Sequence, residues 1–172
     1  MTDDLLHWAD DAADSDAQAA AGLSPPWKVL VIDDDPEVHT VTRFSLQDLR
    51  VFGRSLYLLH ADSAAAARSL LRGNLDVAVV LLDVVMETAQ AGLELVGFIR
   101  DELGLAECRL ILRTGEPGYA PELTVIQEYD INDYRTKGEL THTRLITTVS
   151  SALRSYQQLH ALAEHRRGLE LI

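Results

Sequence analysis

The sequence has a single cysteine, few basic residues and no long apolar run. Cys108 has no partner within the chain, so neither a disulfide framework nor a cysteine-rich metal site is expected. The 27 acidic residues outnumber the 15 basic ones and give a net charge of −12, which argues against nucleic-acid or anionic membrane partners. No stretch is long enough to span a bilayer, and the N-terminus lacks the order of a secretory signal. These absences favour a cytoplasmic protein.

The composition divides the 172 residues into three parts. Residues 1–26 are rich in Asp and Ala, contain no Lys or Arg, and end in Ser24-Pro25-Pro26, which predicts a flexible acidic arm. Residues 27–156 carry the regular apolar patterns of one globular domain. Residues 157–172 continue a helical pattern beyond that domain and form a predicted C-terminal extension or linker.

Within the globular part, strand and helix patterns alternate. Short apolar runs predict strands at 28–33, 55–61, 77–83, 108–114 and 131–136. Helical patterns follow them at 36–50, 63–72, 92–103, 120–129 and from about residue 140 onward. The first helix has Val38, Val41, Phe44, Leu46 and Leu49 at roughly helical spacing. This alternation predicts an α/β fold with a doubly wound, five-stranded parallel sheet, whose ligands bind at the carboxyl ends of the strands.

Chemically useful side chains follow four of those strands. Asp33 and Asp34 end the first, Asp83 ends the third, Thr114 ends the fourth, and the fifth runs into Lys137. Converging carboxylates repel one another unless a cation such as Mg²⁺, which prefers oxygen ligands, lies between them. A carboxylate at the central strand can act as a nucleophile in phosphoryl transfer, while Mg²⁺, an ammonium and a hydroxyl stabilise the developing charge.

Each of these residues also has an ordinary structural interpretation. Asp33 to Asp35 resemble an N-cap cluster before Pro36, because acids favour helix N-termini. Asp83 and Thr114 can cap a strand end and a loop, and Lys137 can be a solvated lysine. The convergence of all of them at one edge of a sheet favours the functional interpretation, with Asp35 serving the helix that starts at Pro36.

The combination resembles the receiver domain of two-component response regulators, over about residues 27–156. The matching pieces are Asp33-Asp34 after VLVI, Asp83 in LLDVVM, Thr114-Gly115, and Tyr134 three residues before Lys137. The resemblance implies a flavodoxin-like strand order 2-1-3-4-5. It also implies these roles: phosphorylation of Asp83, catalysis by Asp83, Thr114 and Lys137, Mg²⁺ binding by Asp33, Asp34, Asp83 and the carbonyl of Val85, and switching by Thr114 and Tyr134.

The same resemblance implies partners and a mode of action. A sensor histidine kinase or a phosphotransfer protein would donate the phosphoryl group, and the resulting conformational switch would control an output domain. Two positions depart from the family pattern, since Glu87 and Gly138 stand where prolines are common. The stretch from Ile111 to Leu140 further resembles receivers attached to HD-GYP phosphodiesterase or kinase outputs.

The sequence of the C-terminal helix predicts contacts with the sheet, with an output domain and with a second copy of the chain. Leu145, Val149, Ala152, Tyr156, Leu159 and Ala163 form a heptad-like seam whose early part packs on the sheet. We expect the remainder to lead to a covalently linked output domain beyond Ile172. A homodimer through this helix, or through the face of helix 4, strand 5 and helix 5, is a further expectation.

Two other functions remain open at this point. One is a Mg²⁺-dependent phosphohydrolase with an aspartyl-phosphate intermediate, although such enzymes commonly place an acid where this chain has Val85. The other is a receiver that binds partners without phosphorylation, which the complete set of acids, Thr114 and Lys137 disfavours. The favoured protein is a signalling phosphoacceptor that catalyses only its own phosphorylation and dephosphorylation.

Overall fold

The computed structural model describes residues 24–88, 90–115, 123–139 and 141–170. Their strands form one five-stranded sheet in the order β2-β1-β3-β4-β5, with every neighbouring pair parallel. The strands are β1 (Trp27–Ile32), β2 (Leu56–Ala61), β3 (Val79–Asp83), β4 (Arg109–Thr114) and β5 (Asp133–Thr136). The α/β class predicted from the alternating pattern and the strand order implied by the family resemblance are therefore confirmed. The arm predicted for residues 1–26 lies mostly outside the described residues.

Helices connect the strands on both faces of the sheet. They are α1 (Pro36–Leu46), α2 (Ala64–Gly73), α3 (Ala91–Gly97), α4 (Leu123–Glu128) and α5 (His142–Glu170). Helix α3 continues into a π-helical turn at Phe98–Glu102, and a 3₁₀ turn at Lys137–Glu139 follows β5. Asp35 caps α1 by accepting a hydrogen bond from the Glu37 N–H at 2.9 Å, so its predicted role at the helix start is confirmed.

Alternating strand residues divide the core into two layers. Leu30, Leu82 and Leu112 pack with residues of α2 and α3 on one face, whereas side chains such as Val31 and Ile111 pack toward α1 and α5 on the other. A sheet covered on both faces explains why β1, β3 and β4 are almost continuously apolar. Asp83, Arg113 and Thr114 lie at the carboxyl ends of these strands, where the chain leaves the core, whereas Lys28 and Arg109 lie at the opposite ends.

Helix α1 turns a different face to the sheet than its apolar pattern indicates. Thr42, Ser45 and Leu46 are buried, while Val41 and Phe44 are 58% and 69% exposed. The helix itself is thus confirmed, but its apolar spacing does not identify the packed face. Thr42 is buried because its hydroxyl accepts a hydrogen bond from Arg113 of β4.

Helix α5 packs on the sheet and then continues beyond it. Leu145, Val149, Ala152, Leu153 and Tyr156 are its buried residues, which confirms the early part of the predicted seam. Past Tyr156, the helix contacts the loop before β4 through Glu107, whose carboxylate lies 2.7 Å from His160 Nδ1 and 3.5 Å from Arg167 Nη2. None of the described helices has a stretch that could span a lipid bilayer.

Candidate functional site

The acidic residues predicted from the strand ends come together in the structure. Asp33, Asp34 and Asp83 each place a carboxylate oxygen so that the three atoms lie within 4.8 Å of one another. Asp33 and Asp83 are buried, at 0% and 2% exposure, whereas Asp34 is exposed. The parallel register explains this meeting, because the last printed pair of β1 and β3, Ile32 with Leu82, immediately precedes Asp33 and Asp83.

Lys137 bridges the two buried acids. Its Nζ lies 3.0 Å from Asp83 Oδ2 and 3.1 to 3.2 Å from the two oxygens of Asp33. Its side chain is only 27% exposed, so the ammonium works in a setting where solvent screening is reduced. The lysine that follows β5 is therefore part of the acidic cluster and is not a solvated surface residue.

The local environment shifts the proton affinities of this group. Burial raises the pKa of Asp83, and the hydrogen bond from Lys137 partly offsets that effect. Burial alone would lower the pKa of Lys137, but its hydrogen bonds to Asp83 and Asp33 outweigh burial and raise it. Lys137 therefore stays charged at neutral pH and favours the ionised form of Asp83, which is the nucleophilic form.

The donor set fits a hard divalent cation. Three carboxylates in mutual reach suit Mg²⁺, which takes oxygen ligands and retains water molecules. Asp33 Oδ2 is buried, and its 3.1 Å contact with the Lys137 ammonium is an ion pair without hydrogen-bond geometry, so this oxygen keeps a lone pair that a cation or its bound water would complete. Asp33, Asp34 and Asp83 are thus the side chains able to hold the metal.

The loop after β3 is held tightly around Asp83. The Val85 N–H donates to Asp83 Oδ1 at 3.2 Å, and the Gly92 N–H donates to the Val84 carbonyl at 3.2 Å. A Cβ on Gly92 would lie 2.6 Å from the Asp83 carbonyl oxygen, so the close approach of α3 requires glycine. The metal-binding role of the Val85 carbonyl stays a prediction.

Thr114 and Tyr134 lie on neighbouring strands and share a side-chain hydrogen bond. Thr114 is fully buried, while Tyr134 is half-buried. Burial raises the pKa of Tyr134 despite the opposing effect of this hydrogen bond. The two residues predicted as a switch pair are therefore in direct contact, on the sheet face away from α1 and α5.

Glu87, which stands where the family commonly has proline, serves a structural contact. Its Oε1 accepts a hydrogen bond from the Ala64 N–H at 2.9 Å. This carboxylate therefore ties the loop after β3 to the first turn of α2, where acids are favoured. Glu116, another acid near the strand ends, lies outside the described residues.

Sequence reasoning missed two contributors to the site. Arg113 of β4 is buried with its guanidinium near Asp33, and His39 of α1 donates from Nε2 to the Asp33 backbone carbonyl at 2.7 Å. Arg113 was detectable in principle, since a base inside the apolar run that ends in Thr114 must find a partner when buried. His39 carried no comparable indication, because a histidine on a helix surface is ordinary.

The fold of this chain is shared with solved receiver domains. A response regulator receiver domain protein from Clostridium thermocellum superposes with a TM-score of 0.63 at 20% identity, over 77% of this chain and 98% of that one. The signal receiver domain of an HD domain-containing protein from Pseudomonas fluorescens Pf-5 also reaches 0.63 at 20% identity, over 81% and 95%. The chain therefore has the fold of response regulator receiver domains, as its motifs indicate.

A curated protein provides a nearer likeness in sequence. The chain is 45% identical over 144 residues to the 3'3'-cGAMP-specific phosphodiesterase 2 of Vibrio cholerae serotype O1. The matched segment covers 84% of this chain but only 28% of that protein. No protein-family model matches the chain.

Proposed function

We propose that the chain is a phosphoacceptor receiver domain, phosphorylated on Asp83 in the presence of Mg²⁺. The observation that carries this proposal is the meeting of Asp33, Asp34 and Asp83 at one sheet edge, with Lys137 bridging the two buried acids. The donor would be a sensor histidine kinase or a phosphotransfer protein. The product is a conformational state, so the chain acts as a signalling protein whose chemistry is confined to itself.

The geometry supports a simple course for the reaction. A carboxylate oxygen of Asp83 attacks phosphorus, the bond from phosphorus to the donor's imidazole nitrogen breaks, and that nitrogen keeps the electron pair and takes up a proton. Lys137 stands beside the attacking carboxylate and stabilises charge on the transferred group. When bound, Mg²⁺ supplies further charge neutralisation at the phosphoryl oxygens.

The switch would follow from the new charge on Asp83. Phosphorylation adds strong acceptor oxygens, which compete for the hydroxyl of Thr114 and for the ammonium of Lys137. Withdrawing Thr114 from its contact with Tyr134 would free the ring to change position. This face of the sheet, with α4 and β5, would then signal to the output domain.

A phosphorylation assay tests the assignment directly. The chain is incubated with Mg²⁺ and acetyl phosphate or phosphoramidate, and intact-mass spectrometry follows the gain of one phosphoryl group. We expect labelling of the wild type, none for Asp83→Asn, and strong slowing for Lys137→Met. Equal labelling of Asp83→Asn would overturn the proposal, and rapid turnover of assorted phosphate esters would instead identify a phosphohydrolase.

We further propose that this domain controls a cyclic-dinucleotide phosphodiesterase output. The support is the likeness to a phosphodiesterase specific for 3'3'-cGAMP, together with a structural neighbour from an HD domain-containing protein. The gene itself provides the test. A metal-dependent phosphodiesterase domain encoded after residue 172 would support the proposal, whereas a DNA-binding or kinase domain there would contradict it.

A further inference from the structure

Arg113 is a buried cation beside the acidic cluster. Its side chain is 4% exposed, although it lies on β4 among apolar neighbours. Burial lowers the pKa of its guanidinium, while the charges of Asp33 and Asp83 oppose that effect. A fully buried arginine is rare unless it is paired, so its surroundings indicate what it does.

The register of the sheet places Arg113 in a row of charges. It pairs across strands with Asp83 on one side and with Arg135 on the other. Asp33 follows the last paired residue of β1 and extends the row beyond Asp83. Because neighbours in register share a face, two acids and two bases lie side by side at the carboxyl edge, toward α1 and α5.

The contact between Arg113 and Asp33 is incomplete. Arg113 Nη2 lies 3.7 Å from Asp33 Oδ2, beyond hydrogen-bonding distance. Both atoms are buried. Among the described residues, Arg113 Nη2 and Nε have no hydrogen-bond partner, and the 3.1 Å contact of Asp33 Oδ2 with Lys137 Nζ is an ion pair without hydrogen-bond geometry. The Nη1 group is held elsewhere, since it donates to Thr42 Oγ1 of α1 at 3.3 Å. The guanidinium therefore lies 3.7 Å from an acidic oxygen that also faces Lys137, without a hydrogen bond of its own to that oxygen.

We propose that Arg113 is a positioning residue that competes with the divalent cation for Asp33. Without metal, the guanidinium and Lys137 are the internal counter-ions of the two buried acids. When the cation binds Asp33, Arg113 loses this acidic neighbour and keeps its hydrogen bond to Thr42 of α1. The residue therefore sets how tightly the metal binds, and it links metal occupancy to the α1 side of the sheet, opposite to Thr114 and Tyr134. This inference rests on the proposed function, because it concerns the same acidic site.

Calorimetric titration with Mg²⁺ at low ionic strength tests this role. Arg113→Met keeps the length of the stem and removes the charge, so we expect Mg²⁺ to bind roughly tenfold more tightly. Arg113→Lys keeps the charge and should stay near the wild type. Arg50→Gln removes a positive charge from an exposed loop and serves as the matched control, with unchanged affinity.

A merely structural arginine would give a different pattern. In that case Arg113→Met would lower the thermal midpoint of the metal-free protein without tightening Mg²⁺, and this outcome would overturn the inference. Arg113→Gln is a second variant in case Met prevents folding, since its amide can still reach a polar partner. In an Asp33→Asn background, the effect of Arg113→Met should shrink to about twofold or less, because the competition acts through Asp33.

The two proposals fail in distinguishable ways. If the wild type binds no Mg²⁺ and Asp83→Asn is phosphorylated as well as the wild type, the receiver assignment itself is lost. If the wild type binds Mg²⁺ and takes up the phosphoryl group, but Arg113→Met titrates identically, only the role of Arg113 is lost.

Discussion

Asp33 receives contacts from several directions, and these contacts tie the site to the rest of the fold. The Asp35 N–H donates to Asp33 Oδ1 at 3.0 Å, Lys137 contacts both oxygens, and Arg113 faces Oδ2. His39 donates to the backbone carbonyl of the same residue. A carboxylate held this firmly in a buried position is oriented before any ligand arrives, which lowers the cost of assembling a metal site.

The His39–His60 pair predicts a pH dependence of stability. The two Nδ1 atoms lie 2.8 Å apart, and since His39 donates from Nε2, His60 supplies the shared proton when both rings are neutral. Burial lowers the pKa of His60 below 6.5, helped by His39 and Arg43. The folded state therefore holds a neutral ring that the unfolded chain would protonate.

The free energy of unfolding therefore depends on the pH in a defined direction. As the pH falls through 6.5, the unfolded state takes up a proton before the folded state does, so stability decreases toward lower pH. Urea denaturation at pH 7.5 and at pH 5.5, roughly one unit on either side of the ordinary pKa of histidine, should show that the free energy of unfolding falls as the pH is lowered. We expect His60→Asn to flatten this slope. An unchanged slope in the variant would rule out His60 as its source.

At the scale of elements, the packing of α3 against the end of β3 depends on Gly92. A Cβ there would meet the Asp83 carbonyl oxygen at 2.6 Å and the Val84 Cα at 2.7 Å, and these are backbone atoms that cannot rotate away. Gly92→Ala should therefore destabilise the fold by about 1–3 kcal/mol, even though alanine favours helices. It should also slow phosphorylation, because the displaced loop carries Asp83.

Gly73 provides the matched control for this prediction. It is also a helical glycine, at the end of α2, and an added Cβ there would contact nothing within 4 Å. We expect Gly73→Ala to change stability by no more than about 0.5 kcal/mol and to leave phosphorylation unaffected. Chemical denaturation and the phosphorylation assay measure both. Equal effects of the two substitutions would show that the approach of α3 is not tight.

Some features of the helices, strands and candidate site can be predicted from the sequence, and others cannot. Strand ends follow from apolar runs that stop at polar residues, so the convergence of Asp33, Asp83 and Lys137 was predictable from topology alone. The packed face of α1 was not, because Thr42 is buried by a hydrogen bond to Arg113, a residue far along the chain. The role of Arg113 likewise depends on a cross-strand register that no local pattern displays.

At the scale of the whole molecule, the extended part of α5 predicts self-association. Leu162 and Leu169 are 66% and 60% exposed and lie seven residues apart, so they share one helical face. Pairing this face with a second copy would bury both leucines. We expect the wild type to dimerise at high concentration in light-scattering measurements, and the double variant Leu162→Glu with Leu169→Glu to remain monomeric.

Charge alone must be separated from the loss of the apolar face. Gln157→Glu adds a negative charge at an exposed position of the same helix, far around the helix from Leu162 and Leu169, and should leave the dimer intact. The double variant should also keep the thermal midpoint of the monomer, since neither leucine belongs to the core. A wild type that stays monomeric at every concentration would contradict the prediction.

The contacts of Glu107 fix the position of the outer part of α5, residues 157–170, relative to the sheet. At 1.5 Å per residue, the helix from Tyr156 to Glu170 is about 21 Å long, so a tilt of about 5° at its base moves the tip by about 2 Å. His160 and Arg167 hold this part of the helix against the loop before β4, at the amino-terminal ends of the strands and away from the acidic residues. A domain attached to this part of α5 would therefore be displaced when the sheet and its helices rearrange, without itself contacting the acidic site.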